Sequence, residues 1–399
     1  MKILKDSFIY LIGELFAKSL PFLMLPYLTR KLGPEGFGEL SYYLTMLSLF
    51  AIFIGLSQDG AVTRYFYFYG KKALNIVVKA GYLFNIATSF ILLLVCWWFK
   101  AEIMAYVVLA TMFQSFVNVQ LALRQCQKKP FQYITIQIVL SLTNVLFTIA
   151  VLEYFSQELV ALRILALVAA NLITFLIATF VLGNLFKDSY HFTWKRLRSS
   201  LIYIITFGLP LILHQSSIFM KGQLDRIFIY QQYTKTELGV YSAGIQMAAV
   251  LPIVFMSLNK AIVPYYYQGL KDGLLTIEKI KKYTLYSFPL SIFPAVIGFF
   301  IPEKFYLWVL GQDYIGSKYY TVMYLFGYCF NLPYLIMINY FFFHGTNSLI
   351  SKITLISAVI YVFFLFFFSK QEVEMIPYAL ILSNLILLLV LWKSIKYVK

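Results

Sequence analysis

The sequence predicts an all-α polytopic membrane protein of about twelve transmembrane helices in two pseudo-symmetric halves. Three observations carry that prediction. Hydrophobic residues make up 61% of the 399 positions and charged residues only 13%, roughly half the charged share of a soluble domain; mean hydropathy is +0.78. Charges bracket apolar runs of about 20 residues, the length that crosses a bilayer core. Finally, two charged stretches broken by Gly and Pro lie about half a chain apart, as in transporters built from repeats.

The runs follow in order. Ser7–Leu28 contains Glu14 and Lys18, and no small-residue cleavage site follows it, so it reads as a first spanning helix rather than a removable signal. Phe37–Leu56 is the second. Ala80–Phe99, Ile103–Leu123, Pro130–Leu152 and Ile164–Phe186 follow, each closed at both ends by a charged residue. The loop 187–199 carries Lys187, Lys195, Arg196 and Arg198 and divides a six-helix lobe over 1–186 from a second over 200–399. In the second half the spans fall within Leu201–Met220, Leu238–Pro264, Tyr283–Ile301, Tyr319–Phe343, Ile353–Ser369 and Ile376–Trp392. With the N-terminus inside, basic residues favour the inner loops by roughly two to one, which predicts cytoplasmic termini. No connection is long enough for a soluble core of its own.

The net charge of +16 is distributed over the ends of apolar runs rather than gathered on a polar face. It therefore speaks for loop topology and anionic lipids, and not for a nucleic-acid partner. Cys96, Cys126 and Cys329 have no paired spacing. The three histidines have no ligand spacing for zinc, and no Walker-type phosphate loop occurs. No metal, cofactor or catalytic residue is expected.

Ionisable residues at membrane depth are costly and mark cavities or partners. Glu14 and Lys18 share one helix face; they either neutralise each other or present a cation to a cavity with an acid beside it. The organising stretch runs from Leu201 to Ser242. Its helix is expected to break at Gly208 and Pro210 and to leave the apolar run at Lys221, with Asp225 and Arg226 at the mouth. These charges either snorkel to the interface or serve an anion, for which the Arg226 guanidinium is the better shape. Asp225 and Glu14 are the candidates for coupling or gating. Lys260 reads as snorkelling or as a further cavity cation. Gln114 and Asn118 on one helix face, with Gln215 and Gln246, either bond neighbouring helices or offer amides to sugar hydroxyls. Arg64, ahead of the aromatic run Tyr65–Tyr69, reads as an interfacial belt.

Pro21, Pro26, Arg30, Gly33, Pro34, Glu35, Phe37 and Gly38, followed mid-chain by Asp225, Arg226, Leu238, Gly239, Tyr241 and Ser242, resemble the Wzx-type O-antigen flippases. That family is the polysaccharide-transport branch of the multidrug/oligosaccharidyl-lipid/polysaccharide exporter superfamily. The resemblance covers essentially the whole chain. It implies a MATE-like fold with two lobes around a central cavity, and alternating access driven by H⁺, Na⁺ or the membrane potential. It also implies a polyprenyl-pyrophosphate-linked oligosaccharide as substrate, moved outward across a bacterial inner membrane. The polymerase and chain-length regulator of the same pathway are the implied protein partners. Lys18, Arg30, Lys221, Arg226 and Lys260 become candidates for the pyrophosphate. A membrane-embedded oligosaccharide polymerase is the competing reading, but it expects a sizeable outer loop. A drug exporter of the same superfamily is the third, and it expects an acidic lobe.

Overall fold

The structure is a computed structural model that describes residues 19–20, 22–182 and 193–397. Among the described residues it is all-helical. Eleven helices or helix pairs among the described residues are long and apolar enough to cross a membrane. Glu14, Lys18 and most of the first expected span lie outside the described residues.

The chain sorts into two compact units. Among the described residues, one holds Leu40–Ser216 with the few before Leu25, and the other holds Leu25–Glu39 and those from Ser217 onward. Helix α1 (Leu25–Gly55) and helix α7 (Trp194–Gln232) each contribute to both.

In the first unit the remainder of α1 leads to α2 (Gln58–Phe68), α3 (Leu74–Trp98), α4 (Glu102–Cys126), α5 (Pro130–Tyr154) and α6 (Leu159–Leu176). Helix α4 is the hub and packs against α2, α3, α5 and α6. Helices α1 and α2 are separated by Leu56 and Ser57, both with positive φ (42° and 50°). Two consecutive non-Gly residues in the left-handed region are costly, of order 1–3 kcal/mol each, and such strain gathers at functional sites. Helix α6 runs into a π-helical turn, Ile177–Val181. The buried Arg124 of α4 donates to the Ala178 carbonyl of that turn at 2.9 Å and to Gln120 Oε1 at 3.3 Å. Gln120 in turn donates to the Tyr82 hydroxyl (2.9 Å) and to Thr179 Oγ1 (3.3 Å). These polar groups join α3, α4 and α6, where bonds of this kind are worth about 1 kcal/mol each.

Helix α7 differs from expectation. It does not stop at Gly208 and Pro210 but runs on as one helix to Gln232. Gly208 has another role: a Cβ there would strike the side chain and carbonyl of Leu56. A glycine is therefore required for α7 to lie against the strained joint. Lys221, Asp225 and Arg226 consequently sit inside the helix rather than at its mouth. They can do so because other parts of the chain supply partners.

In the second unit follow α8 (Lys235–Ala248), α9 (Val250–Lys271), α10 (Ile277–Phe300), the short α11 (Glu303–Leu310), α12 (Ser317–Cys329), α13 (Asn331–Phe343), α14 (Asn347–Phe368) and α15 (Ile376–Ser394). The overlong Tyr319–Phe343 run is thus two helices meeting at Phe330, and the expected eighth span is two helices meeting at Ala249. Helix α12 packs against α8, α10 and α15 and carries Tyr320, Tyr324 and Tyr328, spaced four apart along one face.

Gly38 and Gly239, one from each of the two charged stretches half a chain apart, meet in a helix crossing within this unit. Gly33 (φ 65°) interrupts α1, and Pro34 restarts it, a position where the missing N–H is harmless. Four residues on, Gly38 lies against α8. A Cβ on Gly38 would overlap the Lys235 carbonyl, and a Cβ on Gly239 would overlap the Pro34 carbonyl. Each glycine thus admits the other segment's backbone. Lys235 pairs with Glu39 at 3.0 Å, and Thr234 with Glu237 forms a capping box that starts α8.

Candidate functional site

A cleft rich in polar side chains lies wholly in the first unit, beside the strained joint. It has a volume of about 320 Å³, at the small end of the range of about 300–1,000 Å³ for small-molecule sites. Gln114 and Asn118 of α4 and Gln215 of α7 line it, with Ser48, Ser57, Gln58, Asp59, Thr111 and Ser115. The spacing of Gln114 and Asn118 puts both on one face of α4. Neither they nor Gln215 has a hydrogen-bond partner among the described residues. Gln58 is 2% exposed and donates to the Gly81 carbonyl at 3.0 Å and to Asn85 Oδ1. Its own Oε1 has no partner, although a buried acceptor of this kind normally has one. The wall therefore mixes amides and hydroxyls with the apolar Leu47, Ala51 and Ile52, and Asp59 is its one charged member among the described residues. Such a surface suits a ligand with many hydroxyls and little negative charge where it touches the cleft. Gln246 lies half-buried on α8 in the second unit.

The charged residues of α7 form a separate cluster in the second unit. Asp225 is 2% exposed. Its Oδ2 accepts hydrogen bonds from the Tyr241 hydroxyl at 2.5 Å and the Tyr324 hydroxyl at 2.6 Å, and its Oδ1 accepts from the Arg226 backbone N–H at 2.9 Å. The Arg226 guanidinium stands 3.9 Å from Oδ1 and donates to the Gly222 carbonyl at 2.9 Å. Lys221, one turn earlier, donates to Ser357 Oγ at 2.9 Å and Asn384 Oδ1 at 2.7 Å.

Arg30 is exposed and donates to the Trp308 carbonyl at the end of α11, where carbonyls lack helical partners. Its stem passes the Gly311 position. Nearby Tyr314 is 1% exposed and donates to the Thr29 carbonyl at 3.1 Å. Burial pushes its phenol well above its ordinary range, so it stays a neutral donor. Lys260 is exposed on α9.

Sequence reading singled out Gln114, Asn118 and Gln215, and Tyr241 as part of the mid-chain motif, but missed Gln58, Asp59, Tyr324, Ser357 and Asn384. The four-residue recurrence of Tyr320, Tyr324 and Tyr328 was a legible signal. Nothing along the chain pairs Ser357 and Asn384 with Lys221. Arg64 stacks over Phe68 and Tyr69, at 5.2 and 6.0 Å from the ring centroids.

Fold and cleft define a multi-pass membrane protein with the architecture of the MATE transporters and the lipid II flippase MurJ. Against MurJ in an inward closed conformation the TM-score is 0.75 at 10% identity, covering 98% of this chain and 87% of that one. Against an inward-facing multidrug resistance MATE transporter it is 0.67 at 13%, covering 94% of each. At such identities the likeness is one of fold. Sequence narrows it further: the chain belongs to the family described as polysaccharide biosynthesis protein, which matches residues 3–269. It is also similar, at 48% identity over 98% of both chains, to a protein of the Lsg locus of Haemophilus influenzae.

Proposed function

We propose that the protein is a flippase for a polyprenyl-pyrophosphate-linked oligosaccharide, an O-antigen or related surface-glycan repeat unit, carried by alternating access from the cytoplasmic to the periplasmic leaflet of a bacterial inner membrane. The cleft of Gln114, Asn118 and Gln215 is the observation that carries this reading. Its uncharged donors and acceptors match sugar hydroxyls, while the apolar chain of such a lipid needs no polar site. For the pyrophosphate, Arg226 keeps guanidinium donors beyond its Gly222 bond, and Lys18, Arg30 and Lys260 are further cations. Lys221 has its ammonium engaged by Ser357 and Asn384, which leaves the phosphate to the others. Coupling is to H⁺, Na⁺ or the membrane potential, with Glu14 and Asp225 as the acids involved. The polymerase and chain-length regulator of the pathway act after it, and both termini face the cytoplasm.

The test is deletion of the gene followed by analysis of surface glycan and lipid-linked intermediates. Loss of export-dependent glycan, with repeat units held on the cytoplasmic leaflet, is expected. Single repeat units still reaching the surface unpolymerised would instead make the protein a polymerase.

A further inference from the structure

Lys221 carries an inference that does not depend on the glycan. Its ammonium meets two neutral oxygens from two other helices, Ser357 Oγ of α14 and Asn384 Oδ1 of α15. Both partners are nearly enclosed, at 2% and 8% exposure. Both are also held so that only lone pairs point at the lysine. The Asn384 amide N–H donates to the Gly327 carbonyl at 3.0 Å; a carbonyl only accepts, so the amide is oriented and its Oδ1 must face the other way. The Ser357 hydroxyl donates its proton to the Ser383 carbonyl at 3.3 Å, which leaves its oxygen an acceptor toward Lys221. Two helices thus hold a cradle of fixed acceptors around one positive charge carried by α7.

Hydroxyl and amide oxygens are the hard ligands that also take metal cations. A cradle with no donor turned inward would be poorly satisfied with nothing in it. We propose that this is an internal site for a small monovalent cation, alkali or ammonium, that the chain fills with its own lysine ammonium. The second unit therefore carries its charge covalently, and no dissolved cation is needed at this place. Asp225 and Arg226 follow one turn later on the same helix, and Tyr241 and Tyr324 on α8 and α12 are hydrogen-bonded to Asp225. The cradle itself presents only neutral oxygens.

The experiment measures thermal unfolding of the purified full chain in choline, sodium, potassium and ammonium chloride at equal ionic strength, together with binding of radiolabelled Na⁺. The wild type should melt at one temperature in all four salts and bind no Na⁺ that Asn384→Leu removes. Lys221→Ala vacates the cradle. It should melt lower in choline and recover part of the loss in sodium, potassium or ammonium. Lys221→Met fills the stem's space with an apolar chain and should not recover, and adding Asn384→Leu to Lys221→Ala should abolish the recovery. Should Lys221→Ala yield no folded protein, Lys221→Ser serves in its place, and the wild-type arm decides independently. The proposal is overturned if the wild type binds or is stabilised by an alkali cation through Asn384. It is equally overturned if the vacated variants are indifferent to every cation. Neither result touches the glycan reading, which is judged by export.

Discussion

Replacing Gln114 and Asn118 together by Ala tests the cleft most directly. Both amides line it and make no hydrogen bond among the described residues, so their removal orphans no partner in the chain. The substitutions even favour helix, by up to about 0.7 kcal/mol each, so folding and membrane yield should be unchanged. A neutral hydrogen bond to ligand is worth about 0.5–1.5 kcal/mol net. If each amide makes one to a sugar hydroxyl, the pair should lose about 1–3 kcal/mol, or roughly 5–150-fold in affinity. The assay is complementation of a deletion strain with the variant at wild-type expression, scoring surface glycan and the pool of lipid-linked repeat units. Reconstituted vesicles at limiting substrate give the same quantity as a rate. Export at the wild-type rate with substrate limiting would refute the assignment of this cleft to the glycan.

Two further predictions concern the second unit. Gly239→Ala puts a Cβ into the Pro34 carbonyl and should cost about 1–3 kcal/mol by overpacking. Gly222→Ala, whose Cβ would meet nothing, should gain up to about 1 kcal/mol of helix propensity. Thermal melts of the two variants should therefore shift in opposite directions, and equal shifts would disprove the crossing. Asp225→Ala strands the hydroxyls of Tyr241 and Tyr324 and leaves Arg226 without its carboxylate, a loss of about 3–5 kcal/mol for a broken buried ionic group. Tyr324→Phe removes one donor only, about 1–3 kcal/mol. Chemical unfolding should rank them in that order.

What sequence reading recovers and what it misses divide along a physical line. Spans are legible because hydrophobic length and flanking charge are properties of contiguous residues. That glycine-bearing stretches around 38 and 239 recur half a chain apart is legible, but that their backbones meet within one unit is not, because the approach depends on packing. The α7 helix through Gln232 was not, because Lys221 and Asp225 look like interfacial charges until their partners are known. Those partners are neutral residues on remote helices, Ser357, Asn384, Tyr241 and Tyr324, which hydropathy and charge patterns cannot distinguish from ordinary helix contacts. Similarly, Gln114 and Asn118 share a face by spacing alone, but that Gln215 of α7 lines the same cleft depends on tertiary packing.

The segment Leu25–Glu39 belongs with residues from Ser217 onward, although almost the whole first unit lies between them in the chain. During synthesis at about 5–20 residues per second, that segment leaves the ribosome well before the glycine it must meet at position 239. For that interval its close-packing face has no mate, and the assembly of the second unit has to wait for its far end. Pairings so distant along the chain make folding slow. Expressing the polypeptide as two pieces cut after Ser216 would therefore separate one unit from its own first helix, and should yield two unstable fragments that recover only when made together.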